Sequence, residues 1–359
     1  MKRLVTILFF LIIYSILCAE QPFYAYADPL SPYIEGAKKE GSVTIGISLR
    51  EKEHGKPAGQ LYIAAFQKRY PFLNVSFKRI GGFRERERII TEMSAGIINF
   101  DVATVSSTMI PTIINAKLPR VVNWSELSVS QFFIHPENIG ISLRTPVYGI
   151  AYNREFITDE TAKTFTWETC TDPQWKGKIA MADQPRHLER LYLDDQWGRE
   201  KTLDYAKRWA ANKPVFEGSQ TRVIEKLKAG AYHIVCGMPR NQVKKVQVYD
   251  GFKSLGIVFP EPVPVGAGEL IYVPEKSEHP NAAILFVAWT STREAQNILD
   301  DVDFTGHPHF EGNEINEILK GKRVVYSTWK DVAHADAILA ELFQAMGLPV
   351  VRSKAKKKK

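Results

Sequence analysis

Arginine recurs in the short segments that follow apolar, strand-like runs of this 359-residue chain. These segments read Ser48-Leu49-Arg50-Glu51, Gly81-Gly82-Phe83-Arg84, Ser106-Ser107-Thr108, Asp183-Gln184-Pro185-Arg186-His187, Gly218-Ser219-Gln220-Thr221-Arg222 and Met238-Pro239-Arg240-Asn241. A guanidinium offers a planar fork that matches carboxylate or phosphate. Several of these loops also open a helical pattern, whose first unpaired N–H groups favour an anion by about 0.3–1 kcal/mol. Together they describe a receptor for a small anion, with Ser48, Arg50, Arg84, Ser106, Ser107, Arg186, Gln220, Arg222 and Arg240 as expected contacts. Tyr148, just ahead of an apolar run, adds a phenol that either bonds ligand or packs in a core. A plainer reading stands beside this one: Arg84 and Arg222 pair with Glu85, Glu87 or Glu225, and the serines cap helices. Arg86 and Arg88 read as a solvated helix face.

Other chemistry is thinly supplied. His307-Pro308-His309 is a close pair in a loop, and His54, His135 and His187 lack ligand spacing, so no metal site is expected. No Gly-x-Ser-x-Gly elbow, phosphate-binding Gly-x-x-x-x-Gly-Lys loop or His-Glu-x-x-His helix occurs. Cys236 and His233 lie an odd number of residues apart in a strand-like run, which puts them on opposite faces and argues against a nucleophile pair. No cofactor is expected, and an enzyme is the rival class.

With 45% hydrophobic and 24% charged residues the chain is globular and long enough for two cores. Its formal net charge of +7 sits at the ends: six positive charges fall at Arg352, Lys354 and Lys356 to Lys359, and the first 27 residues hold Lys2 and Arg3 against Glu20. Residues 28–351 are balanced, so no basic field captures a nucleic acid. Lys2 and Arg3, the apolar run from Leu4 to Leu17 and Ala25-Tyr26-Ala27 form a cleavable secretory leader over residues 1–27. Leu17 stands where a lipid-attachment signal at Cys18 wants a small residue, which favours a soluble periplasmic protein over a lipid-anchored one. Cys170 and Cys236 sit in apolar sequence and are expected as buried free thiols, although an exported chain permits a bridge.

The elements that position the arginines alternate. Ser42 to Ile47, Asn74 to Ile80 and Phe100 to Ser106 read as strands, with helices at Gly59 to Tyr70 and Phe83 to Ala95 between them, implying a parallel sheet covered on both faces. A second block starts near Tyr148 and carries strands at Gly177 to Ala182 and Tyr232 to Cys236, with helices at Leu188 to Trp197, Thr202 to Ala211 and Gln220 to Ala229. Pro260, Pro262 and Pro264 mark a crossing between blocks. Glu269 to Pro274 is a further strand, and the helices Asn281 to Ser291 and Ala335 to Met346 are expected to return to the first block. Two crossings follow.

Six pieces then resemble, in order, the extracellular solute-binding proteins that feed ATP-driven importers, in the branch with ferric-iron, thiamine, phosphosugar and phosphonate receptors. They are Ala37-Lys38-Lys39-Glu40-Gly41, Phe66-Gln67-Lys68-Arg69-Tyr70-Pro71, Phe100-Asp101-Val102, Gly149-Ile150-Ala151-Tyr152-Asn153, Asp172 to Ile179 and His279-Pro280-Asn281-Ala282-Ala283. The resemblance implies a type II periplasmic-binding-protein fold, two α/β lobes joined by a two-strand hinge with the ligand between them. It implies lobe 1 from residues 28–150 and 263–351, lobe 2 from 151–262, and a basic tail at 352–359. It also implies a monomer that delivers a small anionic ligand to an inner-membrane ABC permease. Ferric receptors of this branch hold metal with adjacent tyrosines where this chain has Gly237-Met238-Pro239-Arg240-Asn241, so an anionic metabolite is the primary expectation and iron the alternative.

Overall fold

The computed structural model describes residues 28–53, 55–181, 184–217, 219–332 and 334–349. The expected leader, Cys18 within it, the basic tail, His54 and Asp183 lie outside the described residues. In chain order the first segment holds α1 (Ser31–Glu40), β1 (Ser42–Ile47), α2 (Gly59–Arg69), β2 (Asn74–Arg79), α3 (Phe83–Ser94), β3 (Ala103–Val105), α4 (Ile110–Asn115) and β4 (Ile141–Ser142). The middle segment holds β5 (Tyr148–Asn153), α5 (Asp159–Lys163), β6 (Ile179–Met181), α6 (Arg186–Tyr192), α7 (Gly198–Ala211), β7 (Val215–Phe216), α8 (Gln220–Lys228), β8 (Ile234–Pro239), α9 (Arg240–Val248) and β9 (Leu255–Val258). The last holds β10 (Val263–Val265), β11 (Leu270–Tyr272), α10 (Pro280–Thr290), α11 (Arg293–Asp303), α12 (Glu314–Leu319), β12 (Val324–Tyr326), α13 (Trp329–Val332) and α14 (Ala335–Ala345).

Two mixed sheets result. In the first lobe β1 and β2 are parallel and the Ile45–Val102 bridge attaches the chain leading into β3. The strand β11 then runs antiparallel between β3 and β4. The all-parallel expectation fails here because β11 enters from the hinge and must run back into the lobe. In the second lobe the order is β9-β5-β8-β6-β7, with β8 parallel to β6 and antiparallel to β5. Between the lobes β10 pairs with β12 in parallel, and the Val147–Val265 bridge ties both crossings together.

Each sheet buries its own core. On one face of the first, α2 and α10 bring the rings of Tyr62, Phe66, Phe286 and Trp289 within 4.8–6.4 Å of one another. On the other, Ile89, Ile90 and Met93 of α3 meet Ile110, Ile113 and Leu270. Burying each such side chain stabilises by about 1.5–3 kcal/mol. The second core gathers Ile150, Ile179, Leu188, Tyr205 and Trp209. It also takes Ile338, Leu339, Leu342 and Phe343 of α14, which the sequence reading had returned to the first lobe. An amphipathic pattern tells that a helix covers a core but not which one. The chain therefore crosses between lobes a third time, after α13, whose Trp329 still packs in the first lobe.

Cys170 and Cys236, expected as free thiols, form a disulfide with Cα atoms 6.3 Å apart. The single turn Trp167–Thr171 lies over β8, and this long-range approach left no trace in local sequence. The bridge closes a loop of sequence separation 66. Its reduction is expected to lower unfolding free energy by about 2–5 kcal/mol, read as a lower urea midpoint in thiol-containing buffer. An unchanged midpoint with both thiols titratable would contradict it.

Beside that bridge His187 is fully buried, with its ring centroid 5.1 Å from that of Trp167 and 5.4 Å from that of Trp209. Neither ring nitrogen has a hydrogen-bond partner among the described residues. Gly237, at φ +72°, makes room for it: a Cβ there would fall 2.0 Å from Nδ1. Burial pushes the imidazole pKa from 6.5 down to about 3, and burial does the same to His307. A depressed histidine keeps its stability contribution above the unfolded value and loses it as pH falls from about 6.5 toward 3, by about 1.4 kcal/mol per pH unit for each proton. Thermal melts should show this acid slope, and His187→Phe should flatten it; a slope identical to wild type would refute the assignment.

Candidate functional site

The chain leaves β1 at Ser48 and enters β11 from Glu269, so both stand at the edge of the first lobe that faces the second. The Ser48 hydroxyl and the Arg86 guanidinium both donate to the Glu269 carboxylate. Arg144, in the first crossing, lies 4.0 Å from Glu269 and 3.2 Å from Asp303 at the end of α11. Lys245 of α9, from the second lobe, reaches Asp303 at 2.7 Å. On α6, Glu189 is held between Arg186, at 3.2 Å, and Arg190.

These two groups meet at the second crossing, Gly266-Ala267-Gly268. A Cβ on Gly268 would fall 2.1 Å from the Arg144 carbonyl, and one on Gly266 would fall 3.2 Å from Arg190. The crossing is thus a bare strip of backbone with an arginine from each lobe laid against it. Arg86 and Arg190 each keep a buried Nε–H with no hydrogen-bond partner among the described residues, and the Arg144 Nε has the Asp303 carboxylate at 3.2 Å. Burial, then Arg144 and Arg79, lower the Arg86 pKa to about 10. Burial opposes ionisation of Asp303, but Arg144, Lys245 and the Thr305 hydroxyl outweigh it and hold its carboxyl below the usual range. Chemically, the floor is a crowd of guanidinium groups sharing too few carboxylates.

The residues expected from sequence are spread unevenly around this floor. Ser48 belongs to it and Arg186 adjoins it through Glu189. Ser106 and Ser107 are half-buried at the end of β3, and Ser107 lines a pocket of 660 Å³ between α4 and α13. Arg50 and Arg84 are exposed, Gln220 is half-buried at the start of α8, and Arg222 is exposed with its N–H bonded to Ser219 at 3.3 Å. Tyr148 is buried in β5, opposite Pro239. Arg240 is consumed elsewhere: its terminal nitrogens bond Asp300 and Glu314, each at 2.6 Å, and the Phe304 carbonyl at 3.0 Å.

Sequence reasoning missed three residues. Arg86 was assigned to a solvated face and instead turns inward; at 100° per residue, a position two along from exposed Arg84 lies on the far side of the helix. Arg190 follows Arg186 by four residues, one helical turn, a spacing that could have paired them around Glu189. Arg144 stands two residues before Pro146, in the crossing itself. Among the described residues no group of three His, Cys, Asp or Glu is placed to hold a metal ion.

A second constellation lies at the opposite end of β1. Ser42 Oγ is 2.9 Å from His279 Nε2, and His279 Nδ1 is 3.0 Å from Asp101. The connectivity is that of a Ser-His-Asp triad. Its setting is that of a strut: Asp101 also accepts from the Thr44 N–H at 2.8 Å, the His279 N–H at 3.1 Å and the Ser277 hydroxyl at 2.8 Å. The amides of Asn281 and Ala282 at the start of α10, which could have stabilised an oxyanion, already bind Glu40.

Residues 62–307, two thirds of the chain and the hinge floor apart from Ser48, match the family model of bacterial extracellular solute-binding proteins. The chain belongs to that family. Solved structures agree on the fold. The iron- and citrate-bound IdiA (FutA) of Trichodesmium is 19% identical and covers 86% of this chain and 100% of its own, with a TM-score of 0.66. Iron-bound HitA from Pseudomonas aeruginosa is 16% identical over 85% and 99%, TM-score 0.64. The spermidine/putrescine receptor PotD of Streptococcus pneumoniae is 14% identical over 85% and 99%, TM-score 0.58. No curated protein sequence matches. The two lobes and their hinge are accordingly those of type II periplasmic binding proteins, and no helix among the described residues is long and apolar enough to cross a membrane. Within this receptor, Glu269 anchors the floor, so Glu269→Gln should cost about 3 kcal/mol of stability by leaving Arg86 and Arg144 to face each other. Urea titration measures it; a loss below about 0.5 kcal/mol would show that the carboxylate is dispensable.

Proposed function

We propose that this chain is the periplasmic capture receptor of an ABC importer and encloses a small phosphate- or carboxylate-bearing ligand between its lobes. The observation that carries the reading is the pair of buried Nε–H donors on Arg86 and Arg190 without a partner among the described residues, with Arg144, whose Nε has Asp303 at 3.2 Å, beside the hinge strip. Burying a cation without full pairing costs several kcal/mol, and an anion supplied between the lobes offsets that cost. On this reading Ser48 and Arg186, which adjoin the floor through Glu269 and Glu189, would contact the ligand, and Arg50, Arg84, Ser106, Ser107, Gln220 and Arg222 would lie on the rims that a closing motion brings together.

A ferric chelate is the second reading. Relatives of this fold bind iron, one of them with citrate, and the arginines would meet the carboxylates of such a complex. Bare Fe³⁺ is disfavoured, because the end of β8 offers Gly237, Met238 and Pro239 in place of tyrosines and the floor is cationic. The strut-like setting of Ser42, His279 and Asp101 supports transport over hydrolysis.

Calorimetric titration against phosphosugars, phosphonates, di- and tricarboxylates and ferric citrate tests this. Arg144→Ala and Arg190→Ala should each weaken an anionic ligand by about 2–5 kcal/mol. Small-angle scattering should show a smaller radius of gyration at saturation. Unaltered anion affinity in both variants, or a tyrosinate-to-iron absorption band on adding ferric citrate, would overturn the anion reading.

A further inference from the structure

We propose that a groove on the flank of the hinge, apart from the cleft floor, is a second binding site, for a small organic anion with an apolar body. The groove encloses 640 Å³, within the range of small-molecule pockets. One wall belongs to the second lobe: Lys163 at the end of α5, Phe165 beyond it, and Ile257 and Phe259 along the sheet-edge strand β9. The other wall is α12 with Ile318, continued by Lys322, and α12 is tied to α11 of the first lobe by the Glu314 N–H bonded to Asp300 at 3.0 Å.

Charge sets the sign of the occupant. Among the described residues Lys163 makes one ion pair, with the exposed Glu160 at 3.7 Å, a pairing worth little, while Asp159 in the same turn is bonded to Tyr152 and Arg154. The Lys322 ammonium contacts the Phe259 carbonyl at 3.3 Å and no carboxylate among the described residues. Glu314 in the base is already committed to Arg240 at 2.6 Å and Lys244 at 2.8 Å, which hold it ionised although burial opposes this. Glu261, also in the lining, accepts the Arg323 N–H at 2.8 Å and is the one carboxylate there set against Lys163 and Lys322, so positive charge remains in excess among the described lining residues. The lining mixes these charges with apolar side chains, of which Ile257 and Ile318 are half-buried. An inorganic anion would leave Ile257 and Ile318 wetted, whereas an aromatic or short-chain carboxylate or sulfonate covers them and reaches the lysines. Because the walls come from different lobes, an occupant also bridges them, and its affinity depends on the lobe angle.

The test is fluorescence titration of the full chain with 8-anilinonaphthalene-1-sulfonate, an anion with an apolar body. The expected result is a saturable single site that Lys163→Glu/Lys322→Glu weakens at least tenfold while near-ultraviolet circular dichroism stays native. Should that double variant fail to fold, Lys163→Gln alone, at a position whose ion partner Glu160 is exposed, should still weaken the dye about threefold. Non-saturable binding, equal affinity in the charge-reversed protein, or loss of the signal in Arg190→Ala with no effect of the lysine changes would overturn the proposal; the last outcome would put the dye in the cleft.

Discussion

The close passage of the Gly266-Ala267-Gly268 strip between Arg144 and Arg190 constrains the rest of the site. With no room for a Cβ at Gly268, the two crossings run at backbone distance from each other, and the Arg190 guanidinium of the second lobe lies against Gly266. Charges so placed are partly dehydrated, and each needs a partner within reach. Glu269, Asp303 and Glu189 supply those partners, and their positions in turn fix Ser48, Arg86, Lys245 and Arg186. The order of dependence runs from backbone contact to charge placement to ligand chemistry.

The sheets were largely legible in the sequence because their signal is local. Runs such as Ser42 to Ile47 and Asn74 to Arg79 announce strands by β-branched and apolar residues, and they pair in the expected parallel register. The six family-like pieces extended that reading to the hinge and to two lobes. What stayed hidden depends on distance in the fold. The Cys170–Cys236 bridge, the docking of α14 on α6 and α7, and the reversed direction of β11 each join segments far apart in the chain. Local hydropathy reports that these segments are buried and carries no record of the partner.

The arginines show the same limit at the scale of one helix. Loop position singled out Arg84 and Arg240, the first near an α3 terminus and the second at the start of α9, since loops at strand ends face a cleft. Rotation about the helix axis then decided otherwise. Arg84 faces solvent and Arg86, on the opposite side, faces Glu269. Arg240 does point to the hinge, but the carboxylates that fill its fork come from α11 and α12, 60 and 74 residues onward. A spacing argument cannot see acceptors that distant.

Counting acceptors against donors separates structural arginines from those suited to a ligand. Arg240 meets two carboxylates and a carbonyl, so its terminal nitrogens are saturated and it serves the contact between α9 and α11. Arg186 and Arg190 share the single carboxylate of Glu189, while Arg86 and Arg144 share Glu269 and Arg144 shares Asp303 with Lys245. The lowered pKa of Arg86 is the electrostatic mark of that shortage, arising first from burial and then from neighbouring cations. Drawing the lobes together without an anion would dehydrate these groups further and raise the cost. With an anion present, the same movement adds charge-assisted hydrogen bonds in a drier site, where each is stronger. On the proposed anion reading, the acceptor deficit would oppose closure of the empty receptor and favour closure around the ligand, coupling ligand charge to lobe angle.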